Sequence, residues 1–302
     1  MLRSILAGGA LALLATVAPA TLRVELGGSW RTWWQADSAP SEWLAPLDDI
    51  TSAIEWEERG HGIEWGTLRL SGAGEARRVK AIIVRVDPSL VTFRLEGEPA
   101  RTGPPHQWTV DDTPGDALLS LNAGQFGPAR PWGWVVRDGM ERQSPGTGPL
   151  APALVVDTTG RLRFVPADSI GAVRGSGTVV EAFQSYPTLL DGNGQIPRPL
   201  REPGLGVDLN HRDSRLAVGE TRDGHLLFVL TRFNALGGLL DHLPFGLTTP
   251  EMAALMGALG ACRAALLDGG VSSQMVIQLG AERHEWSGMR RVPLGLIGIA
   301  RN

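Results

Sequence analysis

Short segments in which apolar residues alternate with polar ones recur along this chain from residue 62 onward, separated by turn sequences. A period of two is typical of β-strands that bury one face. Segments 215–219 and 225–230 flank Asp223-Gly224, a strong hairpin signal, and segments 80–86 and 90–95 flank Asp87-Pro88-Ser89, which predicts a second hairpin. Many strands and few helices predict an α+β fold, with mixed, strand-rich sheets and a few packed helices in a single domain over residues 59–302.

One stretch near residue 249 has helical periodicity instead. Thr248 and Glu251 have the spacing of a capping box, and Gly260 is typical of a helix end. The capping box accounts for Glu251 more simply than a catalytic role does. The apolar face of this helix is predicted to comprise Met252, Leu255, Met256 and Leu259.

The first twenty residues have the features of an export signal. Arg3 precedes the uncharged apolar run 5–17, and Ala18-Pro19-Ala20 supplies the small residues that signal peptidases cut after. The run is shorter than the roughly 20 residues that a membrane span needs, and no later stretch is long enough. We therefore expect a signal peptide at 1–20 and a secreted or periplasmic protein without a membrane span. The alternatives are an N-terminal helix of the fold and an uncleaved anchor.

Composition excludes several classes of protein. The net charge is −4 and no dense basic run occurs, which disfavours nucleic-acid binding. Cys262, the only cysteine, lies among apolar residues and is expected to be a structural thiol. The histidines lack paired ligand spacing, so neither a metal nor a cofactor is expected. Lys80 is the only lysine among 28 basic residues, so an arginine alone is weak support for a phosphate site.

The segment 21–58 is rich in tryptophan and interrupted by Pro40 and Pro46. It is expected to be a loosely structured lead-in or cap that packs against the main body. Its indole rings can serve as core filler or as a platform that stacks on sugars, and the first interpretation is favoured.

Residues 267–273 form the sharpest local motif. Asp268 follows a buried apolar segment, and Gly269 and Gly270 can adopt positive φ, so successive backbone N–H groups can line an anion-binding concavity. Ser272 and Ser273 add two hydroxyls. This combination suits a sugar phosphate or a developing anion, and a simple tight turn is the alternative.

Two further polar residues lie at strand ends. Asn122 follows an apolar segment and can hydrogen-bond a substrate hydroxyl, although an ordinary Asn turn is favoured on sequence alone. Arg215 opens a strand and can reach a phosphodiester with its bidentate fork, unless it is a surface arginine.

The order of these motifs resembles the phosphodiester glycosidase family from about residue 62 to the C-terminus. Val271, Ala123, Gln125 and Leu216 depart from the family pattern. The segments that resemble family motifs are 80–87 (KAIIVRVD), 121–126 (LNAGQF), 183–192 (FQSYPTLLDG), 215–219 (RLAVG), 246–256 (GLTTPEMAALM) and 267–275 (LDGGVSSQM).

The resemblance implies a catalytic domain with a carbohydrate or sugar-phosphate substrate. Its implied cleft residues are Asn122, Arg215, Asp268, Gly269, Gly270, Ser272 and Ser273. Asp268 would act as nucleophile, base or electrostatic stabiliser, Arg215 and the serines would bind phosphate, and Asn122 would hold a sugar hydroxyl.

Three hypotheses for the function stay open. The first is an exported hydrolase that releases a sugar from a glycosyl phosphodiester or a related envelope glycan. The second is a non-catalytic protein that binds envelope glycans or exopolysaccharide, and the third is a glycosidase that acts on ordinary glycosidic bonds. Glycoside hydrolysis generally needs a second carboxylate, for which Asp191, Asp208 and Glu251 are candidates.

Overall fold

The computed structural model describes residues 20–97, 107–127, 130–235, 238 and 240–301, so nearly all of the predicted signal peptide lies outside the described residues. Several sheets and few helices confirm the predicted α+β, strand-rich class. Within the described ranges, no helix is long and apolar enough to cross a bilayer.

The strands, in chain order, are β1 (Thr21–Leu26), β2 (Ser29–Gln35), β3 (Glu55–Gly60), β4 (Ile63–Ser71), β5 (Val79–Val86), β6 (Val91–Glu96), β7 (Ala117–Asn122), β8 (Gln125–Phe126), β9 (Pro131–Trp132), β10 (Val135–Arg137), β11 (Met140–Gln143), β12 (Ala153–Asp157), β13 (Leu162–Val165), β14 (Val179–Gln184), β15 (Thr188–Leu190), β16 (Leu216–Thr221), β17 (Leu226–Phe233), β18 (Ala261–Leu266), β19 (Met275–Leu279), β20 (Glu282–Trp286) and β21 (Gly295–Ala300). The α-helices are α1 (Asp48–Thr51), α2 (Ile170–Arg174) and α3 (Thr249–Ala258).

These strands form one large sheet and three smaller ones. The nine-stranded sheet has the order β15-β18-β16-β17-β5-β4-β1-β2, with β3 also paired to β4. The five-stranded sheets have the orders β20-β19-β7-β21-β6 and β11-β10-β14-β12-β13, and β8 pairs with β9. Strand pairs are antiparallel throughout the described part of the chain.

The central strands of the nine-stranded sheet are buried on both faces, and the sheet carries the two largest cores. Ala81 and Ile83 belong to the core that includes α3, whereas Ile82 and Val84 belong to the core that includes β6, β7, β19 and β21. This split follows from the pleat, which points successive side chains to opposite faces. The central strands therefore read as nearly continuous apolar runs.

Of the two predicted hairpins, one is confirmed and one is wrong. β16 and β17 pair directly, as Asp223-Gly224 indicates. β5 instead pairs with β4 and β17, while β6 pairs with β21 in a different sheet. Asp87 does form a turn, because its carboxylate accepts bonds from the Ser89 N–H and hydroxyl at 2.8 and 2.6 Å. The turn carries the chain from one layer to the next, where Val91 and Phe93 cover the apolar face of β5.

The expectation of a loosely structured lead-in at 21–58 is wrong. β1 pairs with β2 and β4, and β3 pairs with β4, so the segment extends the nine-stranded sheet. Trp34 is buried and Trp33 and Trp43 pack against the core beside α3, which supports the interpretation of these three as core filler. Trp30 and Trp56 are exposed and do not fill the core. The boundary predicted between residues 58 and 59 stays a prediction.

Antiparallel pairing brings three polar strand ends to one edge of this sheet. β16 and β15 each begin where β18 ends, since Ala217 lies opposite Leu266 and Thr188 lies opposite Ala265. Arg215, before β16, and Asp268, after β18, therefore reach the same edge from different parts of the chain.

Candidate active site

A cleft of about 990 Å³ opens at this edge. Its lining includes Tyr186, Asp213, Arg215, Asp268 and Arg290, together with the backbone of Gly269 and Gly270. The strand ends supply most of these residues, and the loop after β20 supplies Arg290. Four of the seven predicted site residues therefore line one cavity.

Asp268 is the most enclosed carboxylate of the cleft. Its side chain is 17 % exposed, and its Oδ2 has no hydrogen-bond partner among the described residues. Burial raises the pKa of Asp268, the nearby Ser272 hydroxyl and Arg290 guanidinium lower it, and the neighbouring Asp213 charge raises it further. A desolvated carboxylate with an unused oxygen suits a role as nucleophile, base or charge stabiliser.

Asp213 is a second cleft carboxylate that sequence reasoning missed. Its Oδ1 accepts the Ser214 N–H at 2.9 Å, and its Oδ2 lies 3.4 Å from His211 Nε2. Burial also raises the pKa of Asp213, while Arg215 and His211 lower it. The signal was present in His211-Arg212-Asp213-Ser214-Arg215, but only the fold shows that Asp213 faces the glycine loop.

Gly269 and Gly270 allow the two carboxylate segments to approach each other. A Cβ on Gly269 would lie 2.6 Å from the Ser214 carbonyl oxygen, and one on Gly270 would lie 2.6 Å from Asp213 Oδ2. Gly270 also has φ of +60°, a backbone conformation that is unfavourable for residues with a Cβ atom. The glycine pair thus permits close packing.

Four of the six N–H groups between Asp268 and Ser273 are bonded within the protein, so the predicted anion cradle is open only in part. Asp268 N donates to Gly124 O at 2.9 Å and Gly270 N donates to Ser214 O at 2.8 Å. Ser272 N and Ser273 N donate within the loop at 3.2 Å each. These four donors are already used, whereas the N–H groups of Gly269 and Val271, two residues that line the cleft, have no acceptor among the described residues.

Three predicted site residues lie beneath the cleft. Asn122 is fully buried, with Nδ2 donating to the Asp268 carbonyl at 2.8 Å and Oδ1 accepting the Gln274 N–H at 2.9 Å. The Ser273 hydroxyl donates to Gly270 O at 2.7 Å, and the Ser272 hydroxyl accepts a bond from Arg290 Nε at 2.8 Å. Asn122 thus holds the loop in place and does not reach a sugar hydroxyl. The two serine hydroxyls stabilise the loop and Arg290 through these hydrogen bonds.

Arg215 is embedded in the wall of the cleft. Its Nε donates to Leu247 O at 2.9 Å and one terminal nitrogen donates to His211 O at 2.6 Å. Burial lowers its pKa, although Asp213, Asp208 and Glu251 oppose that effect. Much of its hydrogen-bonding capacity therefore holds the surrounding backbone.

The carboxylates that the sequence suggested as partners of Asp268 have other roles. Glu251 is 1 % exposed, caps α3 and pairs with both terminal nitrogens of Arg212 at 2.6 and 2.7 Å. Asp191 accepts turn N–H bonds from Asn193 and Gln195. Asp208 lines the cleft, but its Oδ1 accepts the N–H groups of Asn210 and His211, which lower its pKa. Asp213 is the better-placed second carboxylate.

A group of potential metal ligands lies away from the cleft. Glu58, Glu282 and His284 each place one ligand atom within 4.8 Å of the others, at neighbouring edges of two sheets. The Glu282 side chain is 75 % exposed, so this surface group gives no support for a metal in the reaction.

Comparisons with known proteins identify the family and the fold. The family description "Phosphodiester glycosidase" matches residues 115–298. The zebrafish N-acetylglucosamine-1-phosphodiester alpha-N-acetylglucosaminidase catalytic domain, auto-inhibited by its pro-peptide, is 19 % identical over 83 % of this chain and 87 % of that one, with a TM-score of 0.59. A hypothetical protein from Synechocystis is 16 % identical over 93 % of this chain and 72 % of that one, with a TM-score of 0.53.

No curated protein sequence matches the chain. The structural likenesses show a shared fold, while the family match spans more than half of the chain and contains both Asp268 and Arg215. The match supports a glycosidase-type function with a carbohydrate substrate. The chain belongs to the phosphodiester glycosidase family.

Proposed function

We propose that this protein is an exported hydrolase that cleaves the bond between a sugar's anomeric carbon and the oxygen of a phosphodiester. The observation that carries the proposal is the pairing of Asp268 with Asp213 in one cleft, where burial raises the pKa of both carboxyls. Glycoside hydrolysis uses two carboxylates across an oxocarbenium-like transition state. Export is proposed from the features of residues 1–20.

Asp268 is proposed to act at the anomeric carbon. Arg290 lies 3.7 Å from its Oδ2, which favours the ionised form, and the buried negative charge can stabilise positive charge on the sugar. Asp213 is proposed to take the proton of the attacking water. A phosphate monoester leaves readily, so the reaction needs little help from a general acid.

The test is sugar release from UDP-linked sugars and other glycosyl phosphodiesters. We expect turnover by the wild type and a loss of kcat on the order of 100- to 10,000-fold in Asp268→Asn and in Asp213→Asn. Circular dichroism checks that both variants fold. A folded wild type that releases no sugar from any phosphodiester contradicts the proposal, and glycan binding that survives Asp268→Asn would then favour a binding protein.

The pH profile tests the pairing itself. Because Asp268 must be ionised and burial raises its pKa, kcat should fall as the pH drops through a value above that of an ordinary aspartate. The negative charge of Asp213 raises this pKa further. Asp213→Asn should therefore move the acid limb of its residual activity to lower pH, and an unmoved limb would show that the two groups are uncoupled.

A further inference from the structure

We infer that Arg290, held by Ser272 and Phe126, is the residue that binds the substrate's phosphate, rather than Arg215. The inference rests on the proposed function and deepens it, because it identifies the anion-binding subsite of the cleft. Three arginines line the cleft: Arg212, Arg215 and Arg290.

Two of these arginines are engaged with the protein. Arg212 directs both terminal nitrogens to the carboxylate of Glu251. Arg215 spends Nε and one terminal nitrogen on the carbonyls of Leu247 and His211. Using Arg212 as a phosphate fork would break its bonds to Glu251, which caps α3. Arg215 has only one terminal nitrogen without an acceptor among the described residues, so it offers half of a fork.

Arg290 has the opposite arrangement. Its Nε donates to Ser272 Oγ at 2.8 Å, and its guanidinium lies over the Phe126 ring, 4.6 Å from the centroid. These contacts fix the plane of the fork. Neither terminal nitrogen has a hydrogen-bond acceptor among the described residues, and the side chain is 52 % exposed. A pre-oriented guanidinium whose terminal nitrogens make one long ion pair with Asp268 and no hydrogen bond matches the geometry of a phosphate.

The position of Arg290 relates the phosphate to the bond that breaks. One terminal nitrogen lies 3.7 Å from Asp268 Oδ2, beyond hydrogen-bond distance. A phosphate on this fork places its ester oxygen, and hence the anomeric carbon, close to Asp268. The N–H groups of Gly269 and Val271 have no acceptor among the described residues, so they can assist the guanidinium, which supplies the positive charge.

The experiment compares Arg290→Met with Arg291→Met. Arg291 is the next residue, carries the same charge and points away to Gln107 and Asp112, so it controls for net charge and for changes in the loop. The first measurement is calorimetric binding of inorganic phosphate. Arg290→Met should bind phosphate about 10- to 100-fold more weakly than the wild type, and Arg291→Met should stay within about twofold.

The second measurement is kcat/KM for a glycosyl phosphodiester and for the para-nitrophenyl glycoside of the same sugar. Arg290→Met should lower the first about 10- to 100-fold more than the second, since only the first carries the anion, and a loss shared by both substrates reflects the effect of Arg290 on the ionisation of Asp268. Arg290→Lys keeps the charge but loses the fork. Its kcat/KM for the phosphodiester should lie between the values of the wild type and Arg290→Met.

The outcomes separate this inference from the proposed function. Equal phosphate binding by Arg290→Met and the wild type overturns the subsite. If Arg290→Met loses the same factor in kcat/KM for both substrates and its acid limb shifts, Arg290 acts only on the ionisation of Asp268. That result also overturns the subsite. A wild type that binds phosphate through Arg290 but cleaves no phosphodiester would contradict the proposed reaction and leave the subsite standing.

Discussion

At the scale of single residues, the site depends on how closely two segments approach. The loop at Asp268 and the segment at Asp213 come together where Gly269 and Gly270 present no side chain. The sequence predicts that these glycines are needed because they can adopt positive φ, and Gly270 does have φ of +60°. Their second role, space for Ser214 and Asp213, depends on a neighbour that is distant in sequence.

Gly270→Ala is therefore expected to be more harmful than a glycine substitution that only strains the backbone. Gly280 is the matched control, because its φ is +61° and a Cβ there would meet no other described segment within 4 Å. In both variants the free energy of unfolding should fall by about 1 kcal/mol, because alanine is strained in the left-handed conformation. The free energy of unfolding of Gly270→Ala should fall by about 1–3 kcal/mol more, because Asp213 must move. For the same reason this variant should lose most of its turnover.

Urea denaturation and sugar release measure the two effects. If Gly270→Ala matched Gly280→Ala in stability and kept wild-type turnover, the contact with Asp213 would have no role in positioning the carboxylate.

At the scale of elements, α3 shows how far local sequence determines structure. The helix spans Thr249–Ala258 with the predicted capping box, in which Thr248 and Glu251 bond each other's backbone N–H. The predicted apolar face is only part of what is buried, since Ala253, Ala254 and Ala258 are also inaccessible. The helix is enclosed because the N-terminal segment covers it, and Trp43 lies where a Cβ on Gly257 would be.

The cap and the ion pair of this helix are separable by substitution. Thr248→Ala removes the cap hydroxyl and should cost about 1 kcal/mol, whereas Thr248→Ser should be nearly neutral. Glu251→Gln keeps a side chain able to complete the capping box but removes the charge that pairs with Arg212. It should cost about 3 kcal/mol, because Arg212 is left largely buried without its partner.

The free energies of unfolding in urea check both values. Glu251→Gln as stable as the wild type would mean that the Arg212–Glu251 pair contributes nothing beyond the cap.

At the scale of the whole molecule, two large cores share the nine-stranded sheet, so local changes should appear in global unfolding. Glu181 offers a test in β14, within a different sheet. It is 5 % exposed, its Oε2 has no partner among the described residues, and burial raises its pKa to about 7.

The stability of the protein should therefore fall as pH rises through this window. Between the usual pKa of 4.5 and about 7, the folded state holds a proton on Glu181 that the unfolded state releases. Glu181→Gln removes this titration. The free energy of unfolding of the variant, relative to that of the wild type, should therefore increase across the window by about 1–2 kcal/mol and then level off.

Thermal or urea unfolding from about pH 4 to about pH 8 measures the difference across both pKa values, with the exposed Glu55→Gln as the charge control. An advantage that does not change with pH would show that Glu181 ionises normally.

The sequence by itself determined the features that depend on neighbouring residues. Strand segments, the Asp223-Gly224 hairpin, the α3 cap and the polar strand ends at Asp268 and Arg215 were predictable, because side-chain periodicity, turn geometry and capping act over a few residues. The order of motifs was also sufficient to indicate the family.

Only the tertiary structure decided which strands pair and which polar groups face the cleft. Alternation marks 91–96 as a strand but cannot reveal that its partner is β21, close to the C-terminus. Likewise, nothing local separates Arg290 from other arginines, or shows that Asn122 and Ser273 lie beneath the loop while Asp213 faces it. Burial and hydrogen-bond satisfaction are properties of the packed chain, and they assign these side chains their roles.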